Sequence, residues 1–183
     1  NKIKIAAFLI AIDSGKCLHF SSEAHITMDN IWFKPYTLDY LEGLRNANMG
    51  VHIGIHFSEI GPNFLKARMP VDQRTTQPFG ILHGGASCVL SETLGSVSAW
   101  MTIDPEKYRA VGLEINANHI RAVTKGYVIG TCTPLHVGRR TQVWQTDITE
   151  EATGKRIAIS RLTVAIIEQG TLSNQKETII IEK

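Results

Sequence analysis

Between residues 83 and 102 the apolar side chains recur at spacings of three and four. Ala86, Leu90, Leu94, Val97 and Met101 form one stripe, and Asp104-Pro105 closes the segment, so one long helix is predicted there. Beyond it the period drops to two. Strands are predicted over 110–122, 126–137, 140–150 and 156–168, punctuated by Lys125-Gly126, Gly138-Arg139 and Thr153-Gly154-Lys155. In the first of these Leu113, Ile115 and Ala117 alternate with Glu114, Asn116 and Asn118, which points the apolar set inward. Ahead of the long helix, a short helix is predicted over 37–47, capped by Thr37 and carrying Leu38, Leu41 and Leu44 at spacing three. Strands are predicted over 51–59 and 63–70, joined at Gly61-Pro62-Asn63, and then a polar loop over 72–80. Two strands, one helix and four antiparallel strands define an α+β layout. A curved antiparallel sheet wrapped around the one long helix is the simplest way to bury its stripe.

The ends lack this patterning. Residues 1–27 show no period that continues past residue 28. Their apolar run Ile5 to Ile12, after Lys2 and Lys4, is similar to a short signal-peptide core but has no small-x-small cleavage site. Met28 opens Met-Asp-Asn-Ile-Trp-Phe and reads as a natural start. Residues 1–29 therefore read as an N-terminal extension, 30–168 as the domain, and 169–183 as a tail whose Ile179-Ile180-Ile181 is either an edge strand or disordered.

Composition narrows the function classes. With 183 residues the chain fits one domain, and 43% hydrophobic with 20% charged residues is a globular balance. The net charge is only +2, no five-residue basic block occurs and aromatics are 7%, which argues against nucleic acid as a partner. No apolar stretch of about 18 residues predicts a membrane span. Cys17, Cys88 and Cys132 are odd in number and form no CxxC pair, so neither a disulfide framework nor a metal site is expected, and a cytoplasmic location fits.

The chemistry concentrates in Gln77-Pro-Phe-Gly-Ile-Leu-His-Gly-Gly-Ala-Ser-Cys-Val-Leu-Ser-Glu92. Gly84 and Gly85 open the helix, where free N–H groups and the positive dipole end favour a developing oxyanion. Glu92 shares one helix side with Gly85, Cys88, Gly95, Ser96 and Ala99. Such a stripe serves close helix packing or flanks a working carboxylate. An acid on a buried face without a basic partner is costly as structure alone, which favours the second reading. Gly84 and Glu92 are eight residues apart, about 12 Å along one helix. One carbonyl cannot reach both from a single helix, but two antiparallel copies across a two-fold axis bring them together.

Met69-Pro-Val-Asp-Gln-Arg-Thr-Thr-Gln-Pro-Phe-Gly-Ile-Leu-His-Gly-Gly-Ala-Ser, followed by Ser91-Glu-Thr-Leu-Gly-Ser, closely resembles the hotdog-fold acyl-CoA thioesterases. The similar branch is the 4-hydroxybenzoyl-CoA thioesterase type with a helix Glu. Within it the chain is most similar to the 1,4-dihydroxy-2-naphthoyl-CoA thioesterases of menaquinone or phylloquinone synthesis, with the proofreading thioesterases of aryl-carrier siderophore synthesis nearly as close. Val111-Gly-Leu-Glu-Ile-Asn-Ala-Asn-His-Ile-Arg and Pro134-Leu-His-Val-Gly-Arg-Arg-Thr-Gln-Val-Trp extend the resemblance.

It implies that Glu92 is nucleophile or general base, and that Gly84 N–H of the partner chain holds the thioester oxygen. It also implies that Gln77 and His83 orient the carbonyl and that Ser96 places the hydrolytic water. For the coenzyme A arm it implies His119, Ile120, Arg121 and Ala122 together with His136, Val137, Gly138, Arg139, Arg140 and Thr141, with Val97 and Gly112 bordering the channel. Ala122 stands where relatives carry proline, and Ile120 where they carry a second histidine. No cofactor is implied beyond the coenzyme A of substrate and product. The implied assembly is a dimer with shared sites, arranged as a tetramer of two dimers. Two other readings compete. A hotdog hydratase would need an upstream His-Phe-Pro loop, and Gln77-Pro78-Phe79-Gly80 stands there instead; a non-catalytic acyl-CoA-binding regulator would not need Glu92.

Overall fold

The computed structural model describes residues 30–45 and 48–170. The expectations for 1–29 and for 171–183 lie outside the described residues. Short helices α1 (Leu38–Gly43) and α2 (Met49–His52) lead into strands β1 (His56–Ile60) and β2 (Leu65–Val71). Then come helix α3 (Gly84–Met101) and strands β3 (Tyr108–His119), β4 (Gly126–Val137), β5 (Thr141–Glu150) and β6 (Arg156–Glu168). The strands form one antiparallel sheet in the order β1-β2-β4-β5-β6-β3, and α3 lies across its inner face. This is the predicted α+β arrangement.

Close packing of α3 depends on what is missing from the strands. A Cβ on Gly130 of β4 would lie 2.6 Å from Leu94 Cδ1, so the bare backbone there receives Leu90 and Leu94. Leu90, Leu94 and Met101 are fully buried, while Ala86 and Val97 sit half-buried at the flank of the core. The buried face is completed by Ser87, Ser91 and Ser98, which the apolar stripe did not predict. Small side chains fit where the helix comes nearest the sheet. Trp144 of β5 anchors the middle, stacked on Trp32 with ring centroids 6.2 Å apart. Its Nε1 donates to Gln142 Oε1 at 2.9 Å, and Gln142 Nε2 donates to Thr102 Oγ1 at 2.9 Å beside the end of α3. Cys88 and Cys132 are free thiols; burial pushes the Cys132 thiol up to about 11.

Four expectations need correcting. The helix predicted over 37–47 spans only Leu38–Gly43. The strand predicted over 51–59 starts only at His56. Asn48 accepts a hydrogen bond from Val51 N at 3.2 Å and caps α2, and Gly54 at φ 74° turns the chain out of that helix. In β3 the alternation slips at a bulge between Gly112 and Glu114. Leu113, expected inward, is 63% exposed, while Ile115 and Ala117 are half-buried. The strand also ends at His119, leaving 120–122 as extended chain beyond it.

Candidate active site

The residues before α3 build a braced turn. Thr76 and Leu82 form an antiparallel bridge. Within the loop Gln77 N donates to Ile81 O at 2.9 Å, Gly80 N to Gln77 O at 2.8 Å, and Phe79 N to Gln77 Oε1 at 3.0 Å. Gly80 sits at φ 76°, a backbone geometry that disfavours a side chain. His83 then caps α3, its Nδ1 accepting from Gly85 N at 2.8 Å. Neutral His83 therefore carries its proton on Nε2. The cap serves Gly85 and leaves Gly84 N–H without an acceptor among the described residues. That N–H, at the positive end of an 18-residue helix, is a ready oxyanion donor.

Gln77, His83 and Gly84 open onto a cleft of about 560 Å³, which His119, Ile120, Arg121 and Ala122 also line. The His119 ring packs on Gly84 so closely that a Cβ there would lie 2.7 Å from Nε2. Arg121 Nη1 donates to Arg156 O at 2.9 Å.

Glu92 lies two turns farther along α3. Ser96 Oγ, one turn on, donates to Glu92 Oε1 at 2.9 Å. The carboxylate rests against Gly112 of β3, where a Cβ would come within 2.7 Å of Oε1. No ion pair reaches Glu92 among the described residues. Cys88, one turn before Glu92, does not compete as a nucleophile: burial holds its thiol above the ordinary range and keeps it protonated.

Beside Glu92 opens a second cavity, of about 250 Å³, lined by Thr93, Ser96, Val97 and Trp100 of α3 and by Leu41, Leu44 and Phe57 from α1 and β1. Trp100 stacks on Tyr40 with centroids 6.4 Å apart. The sequence singles out Val97 on this wall but not Trp100, α1 or α2. The signal for Trp100 is its position one turn after Ser96 on the same helix. Glu42 of α1 ties this wall to β1: its Oε1 accepts from Phe57 N at 2.8 Å, and its other oxygen meets Arg45 and His56. Burial works to raise the Glu42 carboxyl, but these hydrogen bonds and the Arg45 charge outweigh it and hold the group below its ordinary value.

The residues expected to serve coenzyme A fall into two groups. Arg139 and Arg140 line a separate cavity of about 530 Å³ with Tyr108 and Ile166. His136 packs on Gly138, and Gly138 N donates to Thr141 O at 3.1 Å, which fixes this β4–β5 turn; Val137 is exposed beside it. Tyr108 pairs with Glu168 and His119 with Ala158, so the two groups mark opposite ends of β3. At about 3.3 Å per residue they stand roughly 36 Å apart within one chain. The expectation that His119 and Arg121 join Arg139 and Arg140 does not hold inside a single protomer.

A helix across a curved antiparallel sheet, with a Glu in mid-helix and a free N–H at its start, defines a hotdog-type hydrolase architecture. Residues 79–157 match the thioesterase superfamily. The chain is 50% identical over 137 residues to the 1,4-dihydroxy-2-naphthoyl-CoA hydrolase of Escherichia coli (strain K12), covering 75% of this chain and 99% of that one. It is 47% identical to the proofreading thioesterase EntH of Cronobacter sakazakii, over 75% of this chain and 98% of the relative. Among solved structures, a thioesterase from Haemophilus influenzae superposes with a TM-score of 0.72 at 44% identity, covering 75% of this chain and 95% of that chain. A mutant thioesterase from Pseudomonas aeruginosa gives 0.74 at 40% identity, over 75% and 99%. The chain belongs to the thioesterase superfamily and is a hotdog-fold thioester hydrolase. No described helix is long and apolar enough to cross a membrane.

Proposed function

We propose that the protein hydrolyses an aromatic acyl-CoA, of the dihydroxynaphthoyl or benzoyl kind, to the free acid and coenzyme A. The observation that carries this is the Glu92 carboxylate, free of any cation among the described residues and held by Ser96, a residue that also lines an apolar cavity faced by Trp100. Leu41, Phe57, Val97 and Trp100 give that cavity an apolar wall against which a ring system can pack. In the reaction Glu92 either attacks the carbonyl carbon or takes a proton from the attacking water. Both routes put negative charge on the thioester oxygen, which then accepts a hydrogen bond from a Gly84 N–H. The C–S bond then breaks, and the thiolate leaves with a proton; on the first route water then cleaves the acyl–Glu92 anhydride, which releases the acid and restores Glu92.

The Gly84–Glu92 separation makes the working unit a dimer. Strand β3 ends the sheet with an open edge, and Val111 and Leu113 on it are 38% and 63% exposed. Pairing this edge with its copy across a two-fold axis sets Gly84 of one helix beside Glu92 of the other. The same inversion carries Arg139 and Arg140 of one chain toward the partner's 119–122 end, reuniting the two groups meant for coenzyme A. A dimer of dimers would use the outer sheet face, where Ile129 and Ile159 stay partly exposed.

The test is thiol release, followed with a thiol reagent, from dihydroxynaphthoyl-CoA, benzoyl-CoA, hexanoyl-CoA and a dihydroxybenzoyl carrier protein. The two aryl-CoA thioesters are expected to show the highest kcat/KM. Preference for the carrier protein would move the assignment to proofreading, the activity named for the Cronobacter sakazakii relative. Binding without any release would make the protein a regulator.

A further inference from the structure

The chain ahead of α1 folds back onto the end of α3. Trp32 stacks on Trp144 and Phe33 N donates to Met101 O at 2.8 Å, which pins this segment against the core. Thr37 then caps α1, its Oγ1 accepting from Tyr40 N at 3.2 Å. Between these ties the chain sets Tyr36 and Tyr40 against Trp100. Tyr36 meets the indole at a tilt of 53° with centroids 5.3 Å apart, and Tyr40 stacks on it within 9° of parallel. The two tyrosines meet each other at 5.8 Å, so the three rings close a triangle. Lys34 Nζ lies 5.5 Å from the centroid of each tyrosine, and the attraction of the cation to both rings draws them together.

Of the three rings, Trp100 lines the cavity beside Glu92, and neither tyrosine does. An indole without such neighbours can turn among rotamers, and the wall it forms then changes shape with the ligand. Contacts at two different angles hold it in one. Walls that repack accept many ligands, whereas a wall held by its neighbours discriminates. The Tyr36 hydroxyl is buried and has no hydrogen-bond partner. A buried group left unpaired weakens a fold. What this position contributes is therefore its ring.

We propose that Tyr36 and Tyr40 are positioning residues that set acyl selectivity by locking Trp100, so that the cavity presents one fixed flat wall. The inference rests on the proposed function above, because it takes this cavity to hold the acyl group. It adds two residues that stand outside the cavity and act through one that lines it. A fixed indole offers an aromatic acyl group an edge or face contact that an aliphatic chain cannot reproduce. The Glu92–Ser96 pair is left as it is, so the effect falls on KM rather than on kcat.

The experiment measures kcat and KM for benzoyl-CoA and hexanoyl-CoA by thiol release. Tyr36→Leu should lower the benzoyl-over-hexanoyl ratio of kcat/KM about tenfold, through a higher KM for benzoyl-CoA. Tyr40→Ala, at a position 43% exposed and outside the core, should lower it about threefold. Tyr36→Phe should keep the ratio and raise Tm, since only the unpartnered hydroxyl is lost. Trp100→Leu should lose the preference, and adding Tyr36→Leu to it should change the ratio by less than about twofold. A further drop of about tenfold in that double variant would show that Tyr36 acts independently of Trp100 and overturn the inference. So would a wild-type ratio in Tyr36→Leu, or a Tyr36→Phe ratio as low as that of Tyr36→Leu. In each of these cases the wild-type preference for benzoyl-CoA stands, and the proposed function with it. A wild type that does not favour benzoyl-CoA would instead overturn the proposed function and, with it, this inference.

Discussion

The two cavities beside α3 are built on different principles. The cleft at its start centres on a backbone donor, the Gly84 N–H, set by a capped helix end and a braced turn with the His119 ring packed against it. The cavity farther along is made of side chains, with Trp100, Val97, Leu41 and Phe57 as its walls. Backbone donors are fixed whatever the substrate, so the first suits the group every thioester shares. Side-chain walls are changed one residue at a time, so the second suits the group that differs among substrates. Glu92 stands between them, on one helix that serves both.

Glu92→Ala should cut turnover with every substrate by about 10²–10⁴-fold, while Glu92→Asp keeps a fraction. A rate within tenfold of wild type would take Glu92 out of the chemistry. Val97→Phe should act on one cavity alone. It narrows the side-chain cavity and should lower kcat/KM for a two-ring acyl group against a one-ring one by about tenfold or more. An equal loss on both would show that the cavity does not hold the acyl group. Arg139→Ala should raise KM about five- to tenfold with little change in kcat, because a phosphate contact is the same in ground and transition states. A pantetheine thioester, which lacks the nucleotide, should not register the change.

The smallest effect concerns the tie that holds the α1 wall in place. Glu42 is held below the ordinary carboxylate value in the folded chain. Its contribution is therefore present at and above that value and is lost as pH falls through the lower folded one. Glu42→Gln should lower Tm by about 2–4 °C at neutral pH, and the difference should shrink as pH falls below the ordinary carboxylate value. A difference that persists in acid would assign the effect to packing rather than charge.

The contrast between the cavities also governs how much of each was legible in the sequence. The start of α3, its small-residue side and the Glu92–Ser96 pair depend on neighbours one turn apart, and such contacts are written in local spacing. The helix and the strands after it followed from period alone. The second cavity did not, because it joins α1 and β1 to α3 across long stretches of chain. Alternation over 51–59 could not reveal that Asn48 caps a helix there or that Gly54 ends it. Nor could it reveal the bulge that turns Leu113 outward. Arg139 and His119 were grouped by chemistry, yet the β3 register sets them at opposite ends of a strand. Distance along a sheet is not a property of residue type.

If two groups of one helix serve different sites, subunit complementation measures it directly. Gly84→Pro removes the free N–H while leaving a residue suited to the first helical position, since His83 is already extended at φ −71° and ψ 133°. The His119 ring must turn aside to admit it. Gly84→Pro alone should lower kcat about 10²–10³-fold. A mixed dimer of Glu92→Ala and Gly84→Pro chains contains one site with both groups intact, and should recover about half of the wild-type thiol release. A mixed dimer no more active than its two parents would place both groups in one chain and contradict the shared site.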